Sequence, residues 1–436
     1  MTEQNGIEAL KAKIKNKEAT VVVIGQGYVG LPLSMELVDA GFKCIGIDVD
    51  QKRVEQLNKG ESYIFDISNE QLQAAIDSGL YSATTDYETI KDADLVSICV
   101  PTPLRKTRDP DISYIQASST SMAPFLNAPV LVILESTTYP GTTEEVLVPL
   151  LETSSCKLDE GLFVAFSPER VDPGNKNFGL KNTPKVVGGV SAASTELITA
   201  FYSEVVDKVH PVRSSREAEL VKLLENTFRA VNIALVNEMA MMCDRMNIDI
   251  WNVIEAAASK PFGYMPFYPG PGIGGHCIPL DPSYLSWKAK SFGFYNRFIE
   301  LATDVNGNMP QFVTQKLVRV LNTHKKSLNG AKVLLLGVAY KSNINDLRES
   351  PALDIWQILK NEWGADLSFH DPYIEEIPLF NARSKALTAE LLKTSDIVII
   401  TTNHKGVDYD LVLEHAPLIL DTRNALPDNI EKVVRL

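Results

Sequence analysis

A short apolar run, Val21–Ile24, leads directly into Gly25-Gln26-Gly27-Tyr28-Val29-Gly30 and then into a helical pattern from Pro32 to Ala40. Few folds can host a strand, a glycine-rich turn and a helix in that succession. Missing side chains at the three glycines let the backbone approach a pyrophosphate, and the amides opening the helix present donors and a favourable dipole to it. The glycine spacing is common by itself, so its surroundings decide. Asp48 follows Gly30 by 18 residues and closes a second apolar run that begins at Lys43. A carboxylate there can bind a ribose diol and repels a 2′-phosphate, which favours NAD over NADP. Arg53 is placed to stack on or pair with the adenosine end. The expected cofactor-binding set is therefore Gly25, Gly27, Tyr28, Val29, Gly30, Asp48 and Arg53.

Further apolar, β-branched runs at Leu95–Val100, Val130–Leu134, Leu162–Phe166 and Lys185–Val187 are separated by helical stretches. That alternation predicts an α/β fold, a Rossmann-type doubly wound parallel sheet over residues 1–210. Ser214–Ser259 instead carries Leu220, Leu223, Leu224, Phe228 and Val231 at helical spacing, and Pro282 to about His324 is a second helical stretch. Residues 211–325 are expected to form a central helical domain, a spine or dimer interface. Residues 326–436 repeat the opening theme, with strands expected at Lys332–Gly337, Leu367–His370, Asp396–Thr401 and Leu418–Leu420, two of them ending just before Asp371 and Asp421. Ala93–Thr102 and Ser395–Asn403 read as counterparts in two related sheets. The last third is thus expected to be a second Rossmann-like domain, without the glycine fingerprint.

A chain of 436 residues exceeds one compact core. Its 42 basic and 55 acidic residues give 42 − 55 = −13, which argues against nucleic acid or an anionic membrane as partner. No apolar run approaches the roughly 18 residues of a membrane span. Met1 to Thr20 is Lys-rich and lacks the apolar core of a secretory signal, so a cytoplasmic location is expected. The five cysteines, Cys44, Cys99, Cys156, Cys243 and Cys277, are scattered, with no CxxC pair. They read as reduced thiols, with no disulfide framework and no metal site.

One of them stands apart. Cys277 sits in Gly270-Pro271-Gly272-Ile273-Gly274-Gly275-His276-Cys277-Ile278-Pro279-Leu280-Asp281, just ahead of a helix expected to start at Pro282. Free amides and a helix dipole in such a loop favour a nucleophilic thiolate. Cys44, Cys99 and Cys243 fall in apolar strand or helix patterns and read as inert core. His276 is not read as a base for Cys277, because neighbouring side chains in a loop diverge. On the helix starting near Glu217, Lys222 and Asn226 are spaced i, i+4 and share a face, suited to steadying an oxyanion. Thr102 and Thr137 lie at strand ends, where open α/β sheets bind ligands. Glu169 and Arg170 follow a strand and offer a base and an anion partner. Lys341, Arg348 and Arg423 follow strands of the last third and suit phosphates.

Taken together, these motifs resemble the UDP-glucose/GDP-mannose dehydrogenase family, in the family's order, from Gly25 to about Arg423. Ser136-Thr137-Thr138-Tyr139-Pro140-Gly141-Thr142-Thr143-Glu144, Ser167-Pro168-Glu169-Arg170-Val171-Asp172-Pro173-Gly174 and the Cys277 loop look like its N-acetylhexosamine branch. The resemblance implies an NAD-dependent, four-electron oxidation of the C6 alcohol of UDP-N-acetylglucosamine to the uronate, reducing two NAD per turnover, for polysaccharide or O-antigen biosynthesis. UDP-glucose and UDP-N-acetylmannosamine are the alternative substrates, and a homodimer or higher homo-oligomer is implied. It implies Cys277 as the nucleophile, through a thiohemiacetal and a thioester, with Lys222 and Asn226 at the oxyanion. It implies Asp281 and Glu169 as acid/base groups with Thr137 close by, and Thr102, Thr137 and Arg348 as cofactor contacts. Glu169, Arg170, Lys222, Asn226, Gly274, Lys341 and Arg423 are the implied substrate contacts, the last two matching the family's UDP-binding domain. The UDP-glucose branch carries a second glutamate where this chain has Pro173, which leaves Glu169 to act alone or with Asp281. Two other classes share parts of the pattern: a single-step dehydrogenase of the 3-hydroxyacid type, and an NAD-binding protein without catalysis.

Overall fold

The computed structural model describes residues 3–64, 66–105, 109–153, 156–170, 175 and 177–436; Pro173 lies outside them. The chain divides into two units, Met1–Glu225 with Ser283–Gly293, and Asn226–Pro282 with Phe294–Leu436.

The first unit is built on an eight-stranded sheet. Its strands are β1 (Thr20–Ile24), β2 (Lys43–Ile47), β3 (Tyr81–Thr84), β4 (Leu95–Ile98), β5 (Val130–Leu134), β6 (Leu162–Phe166), β7 (Lys185–Gly189) and β8 (Val209–Pro211), in the order β3-β2-β1-β4-β5-β6-β7-β8. The reversal of order beside β1 creates the crevice at the strand ends where such sheets bind nucleotides. Every residue of β5 and β6 is buried, as strands covered on both faces require. Val21 and Val23 enter one core with Leu31, Leu37 and Phe201. Val22 and Ile24 enter another with Ile115, Met122 and Leu147.

Three features depart from expectation. The sheet is not wholly parallel: β6 and β7 pair antiparallel, Ala165 opposite Gly189 and Phe166 opposite Gly188. No crossover helix lies among the described residues between them, and a parallel pairing needs such a crossover. In addition, β3 and β8 carry too few apolar residues to stand out as runs. The fingerprint helix spans Gly30–Asp39, opening two residues before Pro32.

The second unit contains a five-stranded, all-parallel sheet in the order Asp366–His370, Lys332–Leu336, Ile397–Ile400, Ile419–Asp421, Val433–Arg435. Asp421 is the last residue of its strand rather than the residue after it. The expected helical stretches are broken. Ser215–Met246 is one 32-residue helix; Asn247 then adopts a left-handed φ of 55°, and Asp249 caps Ile250–Ala258 by accepting from the Trp251 and Asn252 amides. The second stretch splits into Asp281–Lys290, starting one residue ahead of Pro282, and Arg297–Thr323.

Candidate active site

The glycine turn of the first unit is shaped by its missing side chains. Gly25 sits at φ +90°, where a Cβ would lie 2.6 Å from the Cys99 carbonyl oxygen. A Cβ on Gly30 would lie 1.7 Å from the Gly25 oxygen, whereas one on Gly27 would meet no protein atom within 4 Å. Outer glycines that close the turn and a middle one that leaves its surface open are what a pyrophosphate against the helix start requires. Tyr28 is exposed, and Val29 packs on the core.

Gln26, between the first two glycines, is a residue the sequence reading passed over. Its side chain is fully buried: Nε2 donates to the Val23 carbonyl at 2.9 Å, and Oε1 accepts from Tyr81 at 2.9 Å and Ser34 at 3.2 Å. Its amide donates to Asp48 Oδ2 at 3.0 Å, and its carbonyl accepts from Tyr63 at 2.6 Å. The turn is therefore stitched from below to three other elements. Room for Gln26 comes from Gly46, where a Cβ would fall 2.5 Å from the Gln26 amide carbon.

Asp48 is buried and also accepts the Asp50 amide at 3.0 Å, while Arg53 lies 3.8 Å away and within 5.5 Å of the Tyr63 ring. With one negative charge at the end of β2, Asp48→Ser is expected to raise the NADP-to-NAD ratio of kcat/KM by about 10-fold or more. Steady-state kinetics with both coenzymes check this; an unchanged ratio would detach Asp48 from the choice of coenzyme.

The other motifs of this unit converge on strand ends. Thr102 is buried after β4, and its carbonyl accepts from the Tyr284 hydroxyl, which also reaches the Pro103 carbonyl at 3.2 Å. Ser136, after β5, donates to the Val100 carbonyl at 2.8 Å, presenting Thr137 half-buried beside it. Glu169 is half-buried after β6. Arg170 straps that loop to the long helix through Glu225 at 2.6 Å and donates to the Pro184 carbonyl. Lys222 is buried on the same helix.

Glu219, one helical turn before Lys222, was not singled out from the sequence. Its carboxylate is buried and accepts from the Gly141 amide at 2.5 Å, the Thr143 amide at 2.8 Å and the Thr143 hydroxyl at 2.7 Å. It pins the motif carrying Thr137 to the helix carrying Lys222. Burial pushes its carboxyl up to about 7, against the opposing pull of those hydrogen bonds. A folded-state value above the ordinary 4.5 means that its contribution to stability is complete below that pH and is lost as pH rises through about 7. The difference amounts to about 3 kcal/mol at most. Glu219→Gln is expected to flatten this part of the pH–stability curve, measured by urea unfolding at pH 5 and 8. Parallel wild-type and variant curves would refute it.

In the second unit the cysteine loop is gripped on two sides. From the helices, Asn237 accepts the Gly270 amide at 3.0 Å and donates to Asn306 at 2.9 Å, and Asn306 donates to the Ala230 carbonyl at 3.0 Å. From the C-terminal sheet, the Gly275 amide donates to the Arg348 carbonyl at 3.0 Å. Gly275, at φ +84°, faces the Tyr340 ring so closely that a Cβ would fall 2.6 Å from it. A Cβ on Gly274 would fall 2.6 Å from the Glu349 carbonyl oxygen, and one on Gly270 2.6 Å from Arg423 Nη1.

Cys277 is the half-buried thiol of the five; the others are buried, and burial pushes Cys44 up to about 12 and Cys99 well above the ordinary thiol value. The Cys277 carbonyl accepts the Asp281 amide at 2.9 Å, so the thiol residue forms the turn that opens the Asp281 helix. Asp281 is buried, and its Oδ2 accepts from Asn226 Nδ2 at 2.6 Å. Two expected site residues 55 apart in sequence thus meet directly.

Basic groups gather at the strand ends of the C-terminal sheet. Lys341 is half-buried, and Arg348 forms a bidentate pair with Asp346, Nη2 to Oδ2 at 2.6 Å and Nε to Oδ1 at 3.0 Å. Arg423 Nε donates to the Thr401 carbonyl at 2.9 Å. Desolvation lowers its guanidinium to about 10, with Asp421 opposing, so it stays charged at neutral pH. Among the described residues no cluster of three or more His, Cys, Asp or Glu could hold a metal ion, and no helix is long and apolar enough to cross a membrane.

A dinucleotide turn, a half-buried cysteine whose turn leads into an Asn–Asp pair and a basic second Rossmann-like sheet are the features of an NAD-dependent nucleotide-sugar dehydrogenase. The chain belongs to the UDP-glucose/GDP-mannose dehydrogenase family: the family's NAD binding domain matches residues 19–206, its central domain 216–308 and its UDP binding domain 334–428. NAD is its cofactor, and the turn around Gly27 fits it. The chain is 35% identical over 360 residues to the UDP-N-acetyl-D-glucosamine 6-dehydrogenase of Salmonella typhi, covering 82% of this chain and 83% of that one. It is 33% identical over 427 residues to a UDP-N-acetyl-D-mannosamine dehydrogenase of Methanococcus maripaludis, covering 94% of each. The solved UDP-D-ManNAc dehydrogenase of Pyrococcus horikoshii superposes with a TM-score of 0.87 at 30% identity, over 95% of this chain and 98% of that one. Both alternatives outside this family, the 3-hydroxyacid-type dehydrogenase and the non-catalytic NAD-binding protein, give way to this membership.

Proposed function

We propose that the protein oxidises the C6 alcohol of UDP-N-acetylglucosamine to the carboxylate in two steps, with Cys277 as covalent nucleophile, in the cytoplasm and for polysaccharide assembly. The observation that carries the reading is the buried Asn226–Asp281 contact of 2.6 Å, with the Asp281 amide bonded to the Cys277 carbonyl at 2.9 Å. The turn that carries Cys277 thus ends on the carboxylate that meets the Asn226 carboxamide.

NAD, when bound at the glycine turn, would accept one hydride from C6 at each oxidation, so that two NAD are reduced per turnover. The residues do the rest. The Cys277 thiolate adds to the C6 aldehyde, and Lys222 and Asn226 steady the oxyanion of the resulting thiohemiacetal. Loss of a second hydride from that oxyanion leaves a thioester. Water then adds to its carbonyl, Asp281 or Glu169 takes the proton, and the thiolate departs. Thr102, Thr137, Asp48, Arg53 and Arg348 are assigned to the cofactor, and Arg170, Gly274, Lys341 and Arg423 to the sugar nucleotide. Division into domains at 1–210, 211–325 and 326–436 goes with this assignment.

Relatives named for both N-acetylhexosamine epimers make the sugar the point to test. Purified protein assayed with UDP-N-acetylglucosamine, UDP-N-acetylmannosamine and UDP-glucose is expected to give the highest kcat/KM with the first and two NADH per uronate. One NADH per sugar with aldehyde released would end the two-step scheme; a preference for either other sugar would reassign the substrate.

A homodimer completes the proposal. Leu224, Phe228, Leu235 and Met242 stand 44–61% exposed along one helix at spacings of four, seven and seven residues. Apolar rows of that kind mark interfaces.

A further inference from the structure

The C-terminal sheet carries a counterpart of the Asp48 arrangement, turned to a different use. Asp371 follows the strand Asp366–His370 as Asp48 follows β2, and each carboxylate accepts backbone amides from the turn after the neighbouring strand. At Asp48 the amide is that of Gln26; at Asp371 they are those of Val338 at 2.7 Å and Ala339 at 3.2 Å. Asp371 has a further partner, because His404 Nε2 lies 3.0 Å from Oδ2, with both side chains at 0% exposure. The other imidazole nitrogen is equally committed: His404 Nδ1 accepts the Asn343 amide at 2.9 Å. A backbone amide can only donate, so Nδ1 carries no proton and Nε2 donates to Asp371.

These bonds frame the segment 339–343, at whose centre Lys341 stands. At one end the Ala339 carbonyl accepts from Thr402 at 2.6 Å. At the other, Asn343 holds a left-handed φ of 64°, its side chain accepts the Lys405 amide at 2.8 Å, and Ser342 bonds Asn403 at 2.6 Å. The imidazole is buried against the Tyr373 ring, 5.1 Å between centroids, so it has no freedom to follow a loop that moves.

We propose that His404 is a positioning residue for the nucleotide side of the site, holding through Nδ1 the Asn343 end of the loop that presents Lys341. This rests on the reading of Lys341 as a UDP contact. Removing the Nδ1 acceptor leaves a buried amide unpaired and loosens the loop, while the NAD-binding turn, in the other unit, is untouched.

Two replacements separate the two nitrogens. His404→Asn keeps an acceptor near the Nδ1 position and loses the reach to Asp371; His404→Gln keeps a donor near the Nε2 position and loses the acceptor. With UDP and NAD titrated separately by calorimetry, His404→Gln is expected to raise the Kd for UDP about 10-fold, and His404→Asn by less than about 3-fold. Both should bind NAD as the wild type does, and in turnover His404→Gln should raise KM for the sugar nucleotide with kcat little changed. The inference is overturned if His404→Gln binds UDP normally, if both variants lose UDP equally, or if NAD binding falls in parallel. Wild-type protein that binds no UDP would instead overturn the substrate reading, and the assignment of His404 with it.

Discussion

Cys277→Ala is expected to reduce uronate formation by roughly 10⁴-fold or more while NAD still binds, because removal of a covalent nucleophile removes the intermediate and not merely a contact. The variant should stay folded. The thiol is half-buried at the opening of a helix, and the loop around it is held by backbone bonds to Asn237 and Arg348 that the side chain does not make. Without sulfur, the aldehyde from the first oxidation has no thiohemiacetal to enter, so any product should be aldehyde with one NADH. Product analysis by mass spectrometry alongside NADH absorbance reads both. Uronate formed at the wild-type rate would eliminate the covalent route.

The second large effect is expected at the glycine turn. Gly30→Ala places a methyl group 1.7 Å from the Gly25 oxygen and 3.2 Å from Cys99 Cβ, in a turn already bonded to Asp48 and Tyr63. Backbone must move, and the loss of stability is expected to be about 3 kcal/mol, with NAD affinity falling more than about 100-fold. Gly27→Ala is the contrast. Its methyl group would touch no protein atom within 4 Å, so stability should hold while NAD binding weakens, the added carbon standing where the backbone would meet pyrophosphate. Urea unfolding with calorimetric NAD titration separates the two. Equal behaviour of the two variants would show that Gly27 does not face the cofactor.

What could be read from the sequence was local. Val21–Ile24, the three glycines and Asp48 lie within 28 residues and declare a strand, a turn and a partner acid by spacing alone. Continuous apolar runs gave away β5 and β6, because strands buried on both faces have no room for polar residues. The residues that escaped notice depend on partners far along the chain. Glu219 looks like a helix-surface charge until Thr143, 76 residues earlier, is brought beneath it. Asn237 and Asn306 are ordinary helix polars until they meet across 69 residues and hold Gly270. Gln26 offered one signal in hindsight, a polar residue between fingerprint glycines paired with a glycine inside β2. The antiparallel β6–β7 pairing left no mark, since strand direction is not written in strand composition.

The grip of Tyr340, Glu349 and Arg348 on Gly274 and Gly275 carries a consequence for recombination among relatives. A chimaera joined near residue 325 would seat one protein's thiol segment against another's surface, where a bulkier neighbour at position 340 leaves no space. Transplants that carry residues 270–281 together with the C-terminal sheet keep the matched pieces in one parent, and those are the exchanges expected to yield active hybrids.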